Sequence, residues 1–280
     1  MTAEVKACVI GWPITHSRSP MIHGYWLKKY GIEGSYIKEA VHPRDFPDFF
    51  KSMKNHGLVG GNITVPHKET AYALADEVRD CAKAIRAANT IWLEGDKICA
   101  ANTDTYGYMT HLKTSAPDWD KMDAPAVVLG AGGAARAIIH GLINNGVPEI
   151  RLSNRTKDRA SELADFFGSR VKVVDWGKSQ EALNGAGTLI NTTTLGMTGS
   201  DALKIDLSPM KQDAVVSDIV YAPLETPLLA QAKQKGLTPV DGLGMLLHQA
   251  VPGFEIWFGV RPEVTPELRD LVIADLEKSK

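Results

Sequence analysis

The sequence is short of cysteine, of net charge and of uninterrupted hydrophobic runs. Its three cysteines, Cys8, Cys81 and Cys99, show no C-x-x-C spacing. So sparse and odd a count fits a reduced cytoplasm better than a secreted disulfide framework. Charges nearly cancel, 31 Lys and Arg against 33 Asp and Glu, leaving a net charge of -2. That balance offers no broad footprint for nucleic acid or an anionic membrane, although a small anion needs only a local site. No period repeats, and no low-complexity tract occurs. The opening MTAEVKACVIG lacks the basic and apolar regions of a signal peptide and reads as a strand that starts at once. Only residues 124–143 are apolar enough to mimic a membrane span. Arg136 lies inside that run, at a cost of about 2.5–3.5 kcal/mol. Pro125 and several glycines interrupt it further. A strand, a turn and a buried helix explain the same residues better, and no membrane partner is expected.

What remains is ordinary globular composition, 44% hydrophobic and 23% charged, over 280 residues. That length allows one large domain or two average ones, with a core that needs no staples. The first hundred residues alternate short strands and helices. Strands are predicted at 5–11, 34–41 and 61–65, and helices at 20–30, with Ser19 as cap, and at 43–55. The second helix carries Phe46, Phe49, Phe50 and Met53 on one face. Pro66 is expected to open a further helix, and Gly95-Asp96 to turn a hairpin between 89–94 and 97–101. Residues 115–123, rich in Pro, Asp and Ser/Thr, read as a linker. From residue 124 the rhythm becomes regular, with apolar strands at 126–129, 150–153, 171–174, 188–191 and 215–219. Helices fill most of the gaps, which is the pattern of a doubly wound parallel sheet. Two helices close the chain at 243–258 and 266–277, with Pro252 and Gly253 predicting a kink or break in the first.

The strand at 126–129 leads into Gly130-Ala131-Gly132-Gly133-Ala134-Ala135. This G-x-G-x-x-A run is a variant of the dinucleotide fingerprint. Gly130 permits the tight turn, Gly132 lets the backbone approach a pyrophosphate, and Ala135 lets the helix pack closely. The free N–H groups at the helix start favour an anion there. Alone the run is weak; a strand before it, a helix after it and a second strand at the right distance strengthen it. That second strand ends in Ser153-Asn154-Arg155-Thr156, with Arg159 one turn on. NAD enzymes usually place a carboxylate here for the ribose 2′-OH. A guanidinium instead attracts a 2′-phosphate and can bind it in a fork, so the residues favour NADP. The plainer reading is Asn154 as a helix cap with exposed arginines.

Further signals cluster near the start. Ser17 and Ser19 stand two apart before a helix and could offer hydroxyls to a carboxylate, or only cap it. Lys68 falls in a first helical turn, where the dipole disfavours a cation. Ala88-Asn89-Thr90 and Ala101-Asn102-Thr103-Asp104 bracket the predicted hairpin and could serve its turns alone.

These segments together resemble the shikimate dehydrogenase family, the NADP-dependent shikimate 5-dehydrogenases, along nearly the whole chain. The resemblance covers the G-x-P-x-x-H-S-x-S-P start, G-x-N-x-T-x-P-x-K, A-N-T and N-T-D-x-x-G ending at Gly107. It continues through the glycine-rich turn, N-R-T, and Asn191-Thr192-Thr193 with Gly196-Met197. It closes with Asp218-Ile219-Val220-Tyr221-x-Pro223 and Gly242-Leu243-Gly244-Met245-Leu246-x-x-Gln249. It implies an α/β protein of two lobes with the active site in the cleft between them. Residues 1–106 would form the substrate-binding and catalytic domain, with residues 245–280 returning to it. Residues 107–244 would form the Rossmann domain for NADP.

Carried over by position, Ser17 and Ser19 would hold the substrate carboxylate, with Tyr221 nearby. Thr64, Lys68, Asn89, Asp104 and Gln249 would hold ring hydroxyls. Gly130, Ala131, Gly132, Gly133, Ala134 and Thr192 would line the cofactor. Gly242 would face the nicotinamide, and Asn154, Arg155, Thr156 and Arg159 would hold the 2′-phosphate. No metal and no role for His67 or Gly24 are implied. The implied reaction is the reversible NADPH-dependent reduction of 3-dehydroshikimate to shikimate, in aromatic amino-acid biosynthesis in the cytoplasm. Lys68 and Asp104 are the catalytic candidates. Lys68 alone, the pair as a unit, or electrostatic support of the oxyanion would each serve. A quinate-accepting relative, a substrate-sensing regulator without chemistry and a folate-linked dehydrogenase are the competing readings. A homodimer is left open.

Overall fold

The computed structural model describes residues 4–79, 81–121 and 123–278. The chain folds as two compact units: residues up to Thr105 with those from Leu247 on, and Tyr106–Leu246.

In the first unit, β1 (Val5–Gly11), β2 (Gly34–Ala40), β3 (Gly60–Ile63), β4 (Glu77–Val78), β5 (Thr90–Glu94) and β6 (Lys97–Ala101) form one mixed sheet. Its order is β2-β1-β3-β5-β6-β4. β1 runs parallel to β2 and β3, while β5 pairs antiparallel with both β3 and β6. The hairpin turns at Gly95, whose φ of 64° suits glycine. The Asn-Thr pairs at 89–90 and 102–103 therefore both stand at its open end, side by side, since Thr90 pairs with Ala101. Helices α1 (Ser19–Tyr30), α2 (Phe46–Lys51), α3 (Lys68–Leu74) and α4 (Cys81–Ile85) connect the strands.

The structure corrects several expected boundaries. α1 begins at Ser19 itself, and Arg18 is the N-cap residue. Ser17 supplies the polar contact there, its Oγ accepting from the Ser19 N–H at 3.3 Å. The helix expected over 43–55 stops at Lys51, and a 3-10 turn, Met53–His56, follows. The Ser52 hydroxyl donates back to the Asp48 carbonyl at 2.7 Å, a local bond that competes with the helix. Phe46, Phe50 and Met53 are nonetheless fully buried in one cluster, as the pattern requires. Pro66 does not open α3. The chain first turns, His67 N–H to Thr64 carbonyl at 2.9 Å, and the helix starts at Lys68.

The second unit is built on β7 (Ala126–Leu129), β8 (Ile150–Asn154), β9 (Val171–Asp175), β10 (Thr188–Asn191), β11 (Val215–Asp218) and β12 (Thr238–Val240). All pair in parallel, in the order β12-β11-β10-β7-β8-β9. That is the doubly wound Rossmann order, whose switch point lies between β7 and β10. α5 (Asp104–Ser115), α6 (Gly133–Asn144), α7 (Lys157–Phe167) and α8 (Pro227–Gln234) precede or connect these strands. Residues 115–123 are no linker: α5 runs to Ser115, and Trp119 is buried in this unit's core. α9 (Leu243–Phe258) passes unbroken through Pro252, which costs it one helical hydrogen bond. α10 (Pro266–Lys278) packs on α1 within the first unit. Among the described residues no helix is long and apolar enough to cross a membrane.

Candidate active site

In the first unit the hairpin's open end and the start of α3 bring three of the expected residues together. Lys68 donates from Nζ to Asp104 Oδ2 at 2.5 Å, with side chains 19% and 8% exposed. Asn89 donates from Nδ2 to the other oxygen, Oδ1, at 2.8 Å. The orientation of that amide is fixed by its neighbours. Asn89 Oδ1 accepts from the Thr103 backbone N–H at 2.7 Å and from the Thr90 hydroxyl at 2.9 Å. A backbone N–H can only donate, so the nitrogen must face the carboxylate. Asn102 accepts at Oδ1 from the Asp104 N–H at 2.9 Å and so caps the start of α5.

A further layer escaped the sequence reading. Asn62 donates to the Asn89 carbonyl at 3.1 Å and to Thr90 Oγ1 at 3.3 Å, and accepts from the Tyr36 hydroxyl at 2.6 Å. The Tyr36 phenol also meets the Ser19 hydroxyl, and burial holds it well above the usual tyrosine range. The only sequence signals were the repeated Asn-Thr pairs and the asparagine within G-x-N-x-T.

Ser17 is half-buried and Ser19 buried at the start of α1. The Ser17 oxygen serves as acceptor toward Ser19, which leaves its own O–H free to donate. Arg18, between them, is held by Asp275 of α10 at 2.8 Å and donates to the His16 carbonyl at 2.9 Å. Thr64 is half-buried just after β3. Gly11 makes room for it, since a Cβ there would lie 2.5 Å from Thr64 Cγ2. Gln249 is buried on α9. His67 donates from Nε2 to the Val41 carbonyl at 2.9 Å and stacks on Phe46; burial lowers its pKa, and this is a core histidine.

The second unit carries the remaining candidates. Gly130 has φ 105°, and a Cβ on it would meet Thr192 Oγ1 at 2.5 Å, so only glycine fits. Nothing lies within 4 Å of a Cβ built on Gly132, the N-cap residue of α6, and no side chain caps that helix. The turn is thus an open cradle of backbone N–H groups, with Ala131 and Ala134 half-buried and Gly132 and Gly133 exposed. Ala135 is fully buried against the sheet. These features fit a dinucleotide pyrophosphate. Thr192 gives both its N–H and its hydroxyl to the Leu129 carbonyl, each at 2.8 Å.

Asn154 ends β8 and donates from Nδ2 to the Thr156 carbonyl at 2.7 Å, while Thr156 is the N-cap residue of α7. Asn154 is therefore not the helix cap. Arg155 and Arg159 are exposed and make no ion pair among the described residues, whereas Lys157 between them pairs with Asp175 at 2.7 Å. Two uncommitted guanidiniums at this strand end fit a 2′-phosphate. Tyr221, half-buried, follows β11. Gly242 is buried, and a Cβ on it would lie 2.2 Å from the Ile219 carbonyl oxygen. The one cluster with metal-ligand spacing among the described residues, Glu77, Glu94 and Cys99, is already answered by Arg79 and Lys97.

Residues 9–91 match the family described as shikimate dehydrogenase substrate binding domain. Residues 113–219 match shikimate / quinate 5-dehydrogenase, and residues 242–266 the shikimate 5′-dehydrogenase C-terminal domain. A shikimate dehydrogenase (NADP(+)) of Rhodopseudomonas palustris (strain TIE-1) is 56% identical over 270 residues, covering 96% of each chain. Shikimate 5-dehydrogenase of Thermus thermophilus, solved with NADP(H) and shikimate, superposes with TM-score 0.84. It is 33% identical, covering 97% of this chain and 99% of that one. Quinate dehydrogenase of Corynebacterium glutamicum, solved with NAD, superposes with TM-score 0.89 at 27% identity, covering 97% and 99%.

Proposed function

The chain belongs to the shikimate dehydrogenase family, and from that premise we propose that it reduces 3-dehydroshikimate reversibly to shikimate with NADPH, in aromatic amino-acid biosynthesis. The observation that carries the reading is the Lys68–Asp104 contact, with Asn89 fixed on the second carboxylate oxygen. When bound, NADPH supplies the hydride to the substrate's C3 carbonyl. Gly130 to Ala134 and Thr192 would hold its pyrophosphate side. Asn154, Arg155, Thr156 and Arg159 would hold its 2′-phosphate, and Gly242 would face the nicotinamide.

The protein's own part is to orient the ketone and deliver a proton. An ammonium has three N–H bonds, and Asp104 takes one from Lys68. The others remain for the substrate oxygen. As that oxygen gains charge, Lys68 gives it a proton from Nζ, and Asp104, which when ionised can only accept, keeps the lysine in place. In the reverse direction the amine of Lys68 takes the hydroxyl proton. Ser17 and Ser19 bind the carboxylate at the start of α1, where the helix dipole favours it. Thr64, Asn89, Gln249 and Tyr221 hold the remaining polar groups. The reaction would run in the cytoplasm, where the free thiols of Cys8, Cys81 and Cys99 persist.

Loss of NADPH absorbance with 3-dehydroshikimate tests the reading. Initial rates with shikimate and quinate, each against NADP and NAD, separate it from its quinate-accepting relative. No turnover of 3-dehydroshikimate, or a preference for quinate with NAD, would overturn it.

A further inference from the structure

We propose that Asp218 is a positioning residue for the cofactor end of the site, its carboxylate tying the loops after β10 and β11 into one surface that carries Thr192 and supports Gly242. The inference rests on reading Thr192 and Gly242 as cofactor residues. Asp218 ends β11 and is fully buried. Its Oδ1 accepts from Asn191 Nδ2 at 2.9 Å and from the Val220 N–H at 3.0 Å, and its Oδ2 from the Thr226 hydroxyl at 2.8 Å.

Each of those three donors leads to a different segment. Asn191 ends β10, and its Oδ1 accepts from the Thr193 N–H at 3.1 Å and the Thr193 hydroxyl at 2.7 Å. Those bonds curl the chain immediately after Thr192, the residue that lies against the Gly130 turn. The Val220 N–H fixes the peptide on which Gly242 rests: a Cβ at 242 would lie 2.2 Å from the Ile219 oxygen and 2.8 Å from the Val220 oxygen. Tyr221 is the next residue along. Thr226 caps α8, accepting from the Leu229 N–H at 3.3 Å. One carboxylate thus sets the loop of Thr192, the floor under Gly242 and the return of the chain into α8.

A buried carboxylate is costly, and an apolar side chain at a strand end is commonly tolerated. If Asp218 served only to anchor α8, removing it would lower stability and leave ligand handling alone. If it positions the cofactor end, its loss spares the 2′-phosphate end, which is held by Arg155 and Arg159 at a different strand. Asp218→Asn provides the conservative control. Its amide oxygen can still accept from Asn191 and Val220, with its nitrogen turned to Thr226, whose hydroxyl can accept.

The experiment compares wild type, Asp218→Ala, Asp218→Asn and Thr226→Val as full-length proteins. It reads 2′,5′-ADP affinity by calorimetry, turnover, and the primary isotope effect with NADPH deuterated at nicotinamide C4. For Asp218→Ala, turnover should fall about tenfold or more, with 2′,5′-ADP affinity within about twofold and a larger isotope effect. Asp218→Asn should recover most of the turnover. Thr226→Val, which breaks the Oδ2 bond and the α8 cap but leaves both Oδ1 bonds in place, should move the same way by less, and it carries the test should Asp218→Ala not fold. Unchanged turnover in a folded Asp218→Ala, or a loss shared equally by 2′,5′-ADP affinity, overturns the proposal. Wild type that neither turns over NADPH nor binds 2′,5′-ADP would instead overturn the cofactor reading beneath it.

Discussion

Lys68 sits where a helix start disfavours a cation, and the structure supplies the compensation: the Asp104 carboxylate at 2.5 Å, itself held by Asn89. Lys68→Ala should therefore cut turnover more than shikimate binding, by about 100- to 10,000-fold. Asp104→Asn should also lower turnover, and the double variant should fall short of the product of the two if they act as a unit. A loss below about tenfold for Lys68→Ala, with binding intact, would remove it as the proton donor. Replacing Ser17 and Ser19 by alanine makes a contrasting case. Each hydroxyl on a carboxylate is worth about 1.5–3 kcal/mol, so the Michaelis constant for shikimate should rise while NADP affinity holds. Equal loss for both ligands would contradict the placing of the serines. Lys68 was visible in the sequence by its awkward position, and Asp104 and Asn89 only through family resemblance. Asn62, Tyr36 and Thr103 were not legible as a network, because residues 89 and 103 meet only once the β5–β6 register is fixed.

The strand expected over 150–153 runs one residue further, to Asn154, and its end yields the clearest test of cofactor choice. Arg155 and Arg159 are exposed without ion pairs among the described residues, while Lys157 is engaged by Asp175. Asn154→Asp with Arg155→Leu removes the attraction for a 2′-phosphate and adds a carboxylate that repels it and accepts from a 2′-OH. Preference should invert, since both terms act, with NADP affinity falling by roughly 3 kcal/mol. Catalytic efficiency with both cofactors reads this, and a variant that keeps its original ratio would refute the role of the pair. Strands of the regular half were legible from apolar runs at 126–129, 150–153 and 188–191. β12 was not, because three residues around Pro239 carry little strand signal; an edge position tolerates the proline. The helix over 43–55 misled because an apolar stripe continues through a 3-10 turn, so burial pattern survives where the helix itself does not.

At the scale of the whole molecule, alternation of strand and helix was enough to foresee the parallel sheet. It could not foresee that the first sheet is mixed, since an antiparallel hairpin joins it beside β3. The two units should also differ in their response to acid. His23, in the first unit, is fully buried, stacks on Tyr36 at 3.9 Å and has neither ring nitrogen hydrogen-bonded among the described residues. Burial pulls its pKa down to about 3, against the lesser pull of the Asn62 side chain. Between pH about 6.5 and 3 the unfolded chain therefore binds a proton that the native state refuses, and stability falls as pH falls. The slope is about 1.4 kcal/mol per pH unit, or roughly 4–5 kcal/mol across the window. His67 adds to this in the same unit, its pKa also lowered by burial. In the second unit His140 acts in the same direction, but Asp218 acts against it. Burial raises the Asp218 pKa, so its contribution is present at low pH and is lost as pH rises through the native value. Ion-paired carboxylates with lowered pKa, such as half-buried Glu77 and exposed Asp175, weaken both units only in stronger acid. His23→Phe keeps the stack on Tyr36 and removes the titrating group. Melting temperature followed by calorimetry from pH about 7.5 to 4.5 should fall more steeply for wild type than for the variant, the gap opening below pH about 6.5. Curves that stay parallel across that range would show that His23 is not the source of the acid sensitivity.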